Sequence, residues 1–129
     1  MKKLLWVLLA AVLLTGCGQG QETKQEAVYV NITAQQAKEI MDSRDGYIIL
    51  DTRTQEEYDQ GHIPGAILIP YDEITEKAES VLTDKNQLIL VYCRSGRRSK
   101  LAAEDLVKLG YTNVQEFGGI IDWPYEVVK

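Results

Sequence analysis

The chain has 129 residues, of which 14 are basic and 19 acidic, for a net charge of −5. That length supports one domain, and the acidic balance argues against nucleic acid or anionic lipid as a general partner. With two cysteines and one histidine, no C-x-x-C pair and no metal-ligand spacing, thioredoxin-like redox chemistry and metal chemistry are unsupported.

Residues 1–16 read as a signal peptide. Lys2 and Lys3 precede an unbroken apolar run, Leu4 to Leu14, of eleven residues. A membrane-spanning helix needs about 20. Leu14-Thr15-Gly16-Cys17 resembles a bacterial lipobox. The resemblance implies lipid attachment at Cys17 and an extracytoplasmic domain anchored to a bacterial membrane. Residues 17–27 then form the lipidated N-terminus and a polar tether. Removing Lys2 and Lys3 from the 14 basic residues leaves 12 against 19 acidic, a net charge of −7.

Residues 28–129 carry the domain. Tyr29 to Ile32 is a short strand. Thr33 and Gln36 form a capping box that opens a helix to about Asp42, with Ala34, Ala37, Ile40 and Met41 on one face. Tyr47 to Asp51 is a continuous apolar run ending in a carboxylate, as in a strand buried on both faces. Thr54 and Glu57 form a second capping box, and Gly61 stops that short helix. His62 stands between Gly61 and Pro64, a setting for a turn. Ala66 to Ile69 is a strand closed by Pro70. Asp72 to Leu82 is a helix with Ile74, Ala78, Val81 and Leu82 turned inward. Gln87 to Tyr92 is the strongest strand, and alternation turns Tyr92 away from the position of Cys93. Ser99 to Leu109 is a helix ended by Gly110. Val114 to Phe117 is the last strand, broken by Gly118-Gly119. Ile120 to Val128 is a short helix or turn with Trp123 on the core. This alternation predicts an α/β fold, a mostly parallel five-stranded sheet flanked by helices on both faces.

Ligands in such sheets bind beyond the carboxyl ends of the strands, where Asp51 and Cys93 fall. Three arginines, Arg94, Arg97 and Arg98, follow Cys93 before the next helix. A helix N-terminus, loop amides and cationic side chains all favour thiolate over thiol. Cationic residues at a helix N-terminus are unfavourable unless an anion shares the site. The pattern therefore predicts a charged nucleophile beside an anion site, not a buried cysteine behind a solvated face. Cysteine phosphatases use C-x5-R, a cradle sized for phosphate. Here Arg98 gives C-x4-R and Ser99 takes the sixth place, so the shorter ring fits a single sulfur atom better.

Three motifs carry a family resemblance. Cys93-Arg94-Ser95-Gly96-Arg97-Arg98-Ser99 resembles the active-site loop of the rhodanese-like domain. Leu50-Asp51-Thr52-Arg53, Glu57 and Gly61-His62-Ile63-Pro64-Gly65-Ala66 are similar to its upstream signature. Gly118-Gly119 with Trp123 is similar to its C-terminal one. The likeness runs from about Tyr29 to Trp123. It implies a sulfurtransferase that needs no cofactor. The Cys93 thiolate takes a sulfane sulfur from an anionic donor such as thiosulfate, becomes a persulfide, and passes the sulfur to cyanide or a thiol. The loop Arg94, Ser95, Gly96, Arg97, Arg98 and Ser99 binds the substrate, with Arg98 the first choice for the inward-facing arginine. Asp51 either orients a loop arginine, pairs with Arg53 or caps a helix. Arg53 and Glu57 are expected to form a structural ion pair. Two other functions compete: a cysteine phosphatase or arsenate reductase, disfavoured by the short loop, and a non-catalytic binding or redox-sensing domain.

Overall fold

The computed structural model describes residues 28–129. The signal peptide, Cys17 and the tether lie outside the described residues. The domain is an α/β fold with nine main elements: β1 (Val30–Asn31), α1 (Ala34–Ser43), β2 (Tyr47–Asp51), α2 (Gln55–Gln60), β3 (Ile67–Leu68), α3 (Ile74–Val81), β4 (Leu88–Cys93), α4 (Arg97–Lys108) and β5 (Val114–Gly119). The strands form one parallel sheet in the order β1-β5-β4-β2-β3. No helix among the described residues is long and apolar enough to cross a membrane.

Strand alternation divides the core in two. Leu50, Ile89, Val91 and Val114 pack against Ile74 and Ala78 of α3 and Ala102, Ala103 and Leu106 of α4. Ile49, Leu88, Leu90, Tyr92 and Phe117 face Ala37 of α1, Tyr58 of α2 and Trp123. All six residues of β4 are buried. A fully buried Leu or Ile stabilises the fold by about 1.5–3 kcal/mol, so the central strand is the least movable part of the sheet. Cys93 ends that strand, which is why its backbone has a fixed position.

Both capping boxes form as the sequence predicts, Thr33 with Gln36 and Thr54 with Glu57. His62 takes the expected turn role. Its backbone bridges Val128, its ring stacks on Tyr58 at 3.7 Å, and its Nδ1 contacts the Tyr58 carbonyl.

Four features differ from expectation. α4 starts at Arg97, two residues earlier than Ser99, because Gly96 adopts φ 107° and turns the chain into the helix there. That places Arg97, Arg98 and Ser99 in the first turn. β5 runs on through Gly119, because a register shift lets Gly119 pair with Cys93 while Gly118 takes φ 87°. A glycine at positive φ forms a bulge where a side chain would break the ladder. The helix expected from Asp72 opens as a 3-10 turn at Tyr71–Glu73 and becomes α-helical at Ile74. Val81 is 50% exposed, because the chain leaves α3 at Leu82 and Leu82 fills the inward position.

Candidate active site

Register brings the site together. Asp51 pairs with Tyr92 across β2 and β4, and Cys93 pairs with Gly119 across β4 and β5. The carboxyl ends of the three central strands therefore meet at one edge, beneath the N-terminus of α4.

Cys93 is a free, buried cysteine. Only three residues, Arg94, Ser95 and Gly96, separate β4 from α4. The chain must fold back over the sulfur within that length, and the Gly96 amide donates to Cys93 Sγ at 2.9 Å. The first amides of a helix have no partner within it, so they too face the sulfur. Burial pushes the Cys93 thiol up. Hydrogen bonding from Ser99, Gly96 and Ser95 outweighs burial, and the thiol is held below its ordinary value. Of the donors the sequence predicts, amides and arginines together, the amide of Gly96 is the one in contact with the sulfur. Backbone dipoles are close and fixed, whereas Arg94 and Arg97 are exposed to solvent.

Arg98 is engaged elsewhere. Its Nη1 and Nη2 donate to Glu57 Oε1 and Oε2 at 2.6 and 2.9 Å, a two-pronged grip. This corrects the expected Arg53–Glu57 pair, since Glu57 at the start of α2 reaches α4 rather than its own strand end. It also explains how a first-turn arginine is tolerated: its charge is met by a carboxylate. The Arg98 hydrogen bond leads the causes that hold the Glu57 carboxyl at about 2, down from 4.5. Glu57 thus binds its proton more weakly folded than unfolded. The pair's stabilisation is full above pH 4.5 and disappears as pH falls toward 2. Both side chains remain partly in water, so the contribution is about 1 kcal/mol. Urea melts of the wild type and Glu57→Gln should differ by that amount at pH 7 and converge as pH falls toward 2. A gap that persists in acid would show the pair is not its source.

Asp51 settles on Arg53. It accepts from Arg53 Nε and the Arg53 backbone amide at 2.9 Å each and from Arg53 Nη2 at 2.6 Å. Tyr92 Oη donates to the same carboxylate at 2.7 Å and accepts from the Ile63 amide at 3.1 Å. Arg53 Nη2 also donates to the Gly61 carbonyl at 2.8 Å. Of the readings left open for Asp51, pairing with Arg53 is the one observed; Thr54 and Gly96 cap the neighbouring helices, and no loop arginine meets this carboxylate. Burial, then Asp51, pushes the Tyr92 phenol up, so it stays a donor. Tyr92 points away from Cys93 as predicted, but its hydroxyl is the pin between β4 and the 61–66 turn.

A cleft of about 310 Å³ opens beside the loop, with Arg53, Glu57, Arg94, Ile120, Ile121 and Val127 among its lining. The loop itself packs directly on Gly119. A Cβ there would stand 2.0 Å from the Arg94 carbonyl oxygen and 2.5 Å from Ser95 Cα. These are backbone atoms and cannot swing aside. Gly119→Ala should destabilise the domain by about 1–3 kcal/mol and displace the 94–96 loop. Thermal melts and iodoacetamide reactivity of Cys93 test both effects, and an unchanged melt with unchanged reactivity would contradict this packing.

Sequence reading missed Glu116, which is buried under the loop and hydrogen-bonded to Ser99 Oγ at 2.7 Å. Alternation along β5 carried the signal, since Val114 faces the core on the α4 side and Glu116 follows it at the same phase.

Comparison with known proteins comes to the same fold. The family model described as "Rhodanese-like domain" matches residues 33–124. Thiosulfate sulfurtransferase PspE of Escherichia coli is 42% identical over 80 residues, covering 62% of this chain and 77% of the relative. Thiosulfate sulfurtransferase 18 of Arabidopsis thaliana is 38% identical over 110 residues, covering 75% of this chain and 78% of the relative. A solved E. coli rhodanese with anions superposes with a TM-score of 0.61 at 41% identity, covering 64% of this chain and 98% of that one.

Proposed function

The chain belongs to the rhodanese-like domain family, and from that premise we propose that it transfers sulfane sulfur through a persulfide on Cys93. The single observation that carries this reading is the cradle: a free, buried cysteine at a strand end, with the Gly96 amide on its sulfur and an open helix N-terminus beside it.

The Cys93 thiolate attacks the outer sulfur of a donor such as thiosulfate. A new S–S bond forms to Cys93, the donor's S–S bond breaks, and sulfite leaves with the electron pair. An acceptor, cyanide or a thiol, then attacks the terminal sulfur, and Cys93 returns as thiolate. Fixed amides stabilise the charge that moves between the two sulfurs, as in an oxyanion hole. Arg94 and Arg97, which make no ion pair among the described residues, supply positive charge toward an anionic donor. Arg98 acts at one remove, through Glu57. The solved relative with anions fits a site of this sign.

The test is intact-mass analysis after thiosulfate treatment. One added sulfur atom on Cys93, removed by cyanide with thiocyanate released, is expected. No added sulfur from any sulfane donor would sink the reading. Hydrolysis of an aryl phosphate dependent on Cys93 would point instead to a phosphatase.

We also propose that residues 1–16 are cleaved and that Cys17 carries the lipid, which places residues 28–129 on the outer side of a bacterial membrane. The lipobox-like Leu14-Thr15-Gly16-Cys17 supports this. Cys17→Ser should move the protein from the membrane fraction to the soluble one, and unchanged fractionation would refute the anchor.

A further inference from the structure

Glu116 is 2% exposed, although it lies on a strand at the centre of the site. Its main chain is engaged on both sides, pairing with Asn31 and with Val91. A buried carboxylate is costly unless its oxygens are hydrogen-bonded. Here one oxygen, Oε1, accepts from Ser99 Oγ at 2.7 Å and from the Gly118 amide at 2.7 Å. Both donors point at that one oxygen, which serves them as acceptor.

Both donors belong to the site. Ser99 is in the first turn of α4, over Cys93, and Gly118 is the bulge residue before Gly119, the partner of Cys93. The Ser99 hydroxyl has one proton to give. Besides Glu116 it has the Gly96 carbonyl at 3.0 Å, the Gly118 carbonyl at 3.4 Å, and the Cys93 sulfur, whose thiolate it would stabilise. A carboxylate is the strongest acceptor among these. The hydroxyl cannot give its proton to the sulfur and to Glu116 at once, and the 2.7 Å contact to Glu116 is shorter than those to the two carbonyls.

We propose that Glu116 is a positioning residue for the chemistry at Cys93: its carboxylate holds the Ser99 hydroxyl and the Gly118 amide, so that the cradle meets the sulfur with backbone amides alone. This rests on the reading of Cys93 as the sulfur-carrying nucleophile. Amides fixed by the loop remain in place for a terminal persulfide sulfur. A hydroxyl is a rotor that would follow the inner sulfur and weaken its attack, since thiolate nucleophilicity falls as its pKa falls.

Other charged or titratable groups surround the pair. Arg98 from α4 interacts through its charge with Cys93 and with Asp51 of β2. Arg53 at the end of β2, Glu57 from α2 and Arg94 from the loop line the adjoining cleft. Tyr92 precedes Cys93 in β4, and Tyr29 faces Glu116 from the segment before β1, with Glu104 of α4 nearby. None of these side chains accepts from the Ser99 hydroxyl; among side chains it donates to Glu116.

The experiment is the rate of iodoacetamide alkylation against pH in the full chain, read at Cys93 by peptide mass spectrometry. In Glu116→Gln the carboxylate gives way to an uncharged, weaker acceptor, and the hydroxyl turns more readily to the sulfur. The midpoint should move to lower pH, and the plateau rate should fall about two- to threefold for each tenfold gain in acidity. Adding Ser99→Ala to that variant should abolish most of the shift. Ser99→Ala alone, which keeps Glu116, should leave the midpoint in place. A Glu116→Gln midpoint that stays or rises overturns the proposal, and so does a shift that survives the added Ser99→Ala. A rise in Ser99→Ala alone also overturns it, because the hydroxyl would already be donating to the sulfur. Alkylation needs no sulfur donor. The proposal can therefore fail while sulfur transfer stands, and a protein that transfers no sulfur would fail the proposed function without moving these midpoints.

Discussion

Cys93→Ser is expected to lower thiocyanate formation from thiosulfate and cyanide by about 10³-fold or more. The reason is chemical before it is structural. A serine would have to form an O–S bond where cysteine forms S–S, and its hydroxyl is not ionised by a few amides. The substitution replaces one buried atom by a slightly smaller one, so the fold should survive. That separates this variant from those that act by unfolding. The assay is thiocyanate release at saturating donor, with a thermal melt beside it. A serine variant that melts like the wild type and still makes thiocyanate at a comparable rate would show that Cys93 does not carry the sulfur.

Asp51→Ala should cost about 3–5 kcal/mol of stability, the range for breaking a buried ion pair. In a domain of this size that is a fall in Tm of about 15 °C or more. Asp51 is fully buried and Arg53 only 5% exposed. Removing the carboxylate leaves the guanidinium with the Gly61 carbonyl alone, and it strips Tyr92 Oη of its acceptor. Three segments then lose their shared pin: the end of β2, the 61–66 turn and β4 just before Cys93. Activity should fall with stability, because the strand end that positions the sulfur is loosened. Asp51→Asn keeps an oxygen for Tyr92 while losing the charge, so it should fall between alanine and wild type. Urea denaturation followed by Trp123 fluorescence measures all three. An alanine variant as stable as the wild type would mean that water replaces the carboxylate without loss.

Much of this domain was legible in the sequence because its signals are local. The runs 47–51 and 87–92, the two Thr-x-x-Gln/Glu boxes, and the glycines that end helices each fix structure within a few residues. Alternation of these elements sufficed for a parallel α/β sheet. Cys93 was legible too, since a cysteine that ends a buried strand and precedes a helix must lie at the carboxyl edge. The short Cys93–Arg98 spacing pointed to sulfur rather than phosphate for the same local reason.

The tertiary structure decided what depends on partners far apart in the chain. Three acids, Asp51, Glu57 and Glu116, and three basic side chains, Arg53, Arg94 and Arg98, crowd one edge, and sequence does not say which meets which. Capping placed Glu57 at the start of α2 but not its reach of 41 positions to Arg98. Gly118-Gly119 read as a strand break. Only the pairing of Gly119 with Cys93, and the loop backbone pressed on it, turned that break into a bulge that supports the cradle. Glu116 looked like one more acidic residue in an acidic chain. Its burial against Ser99 follows from the α4 helix lying across β5, a packing event that no single segment encodes. Local propensities thus determined the elements and the position of Cys93. The assignment of charges around that thiol came from distances closed by folding.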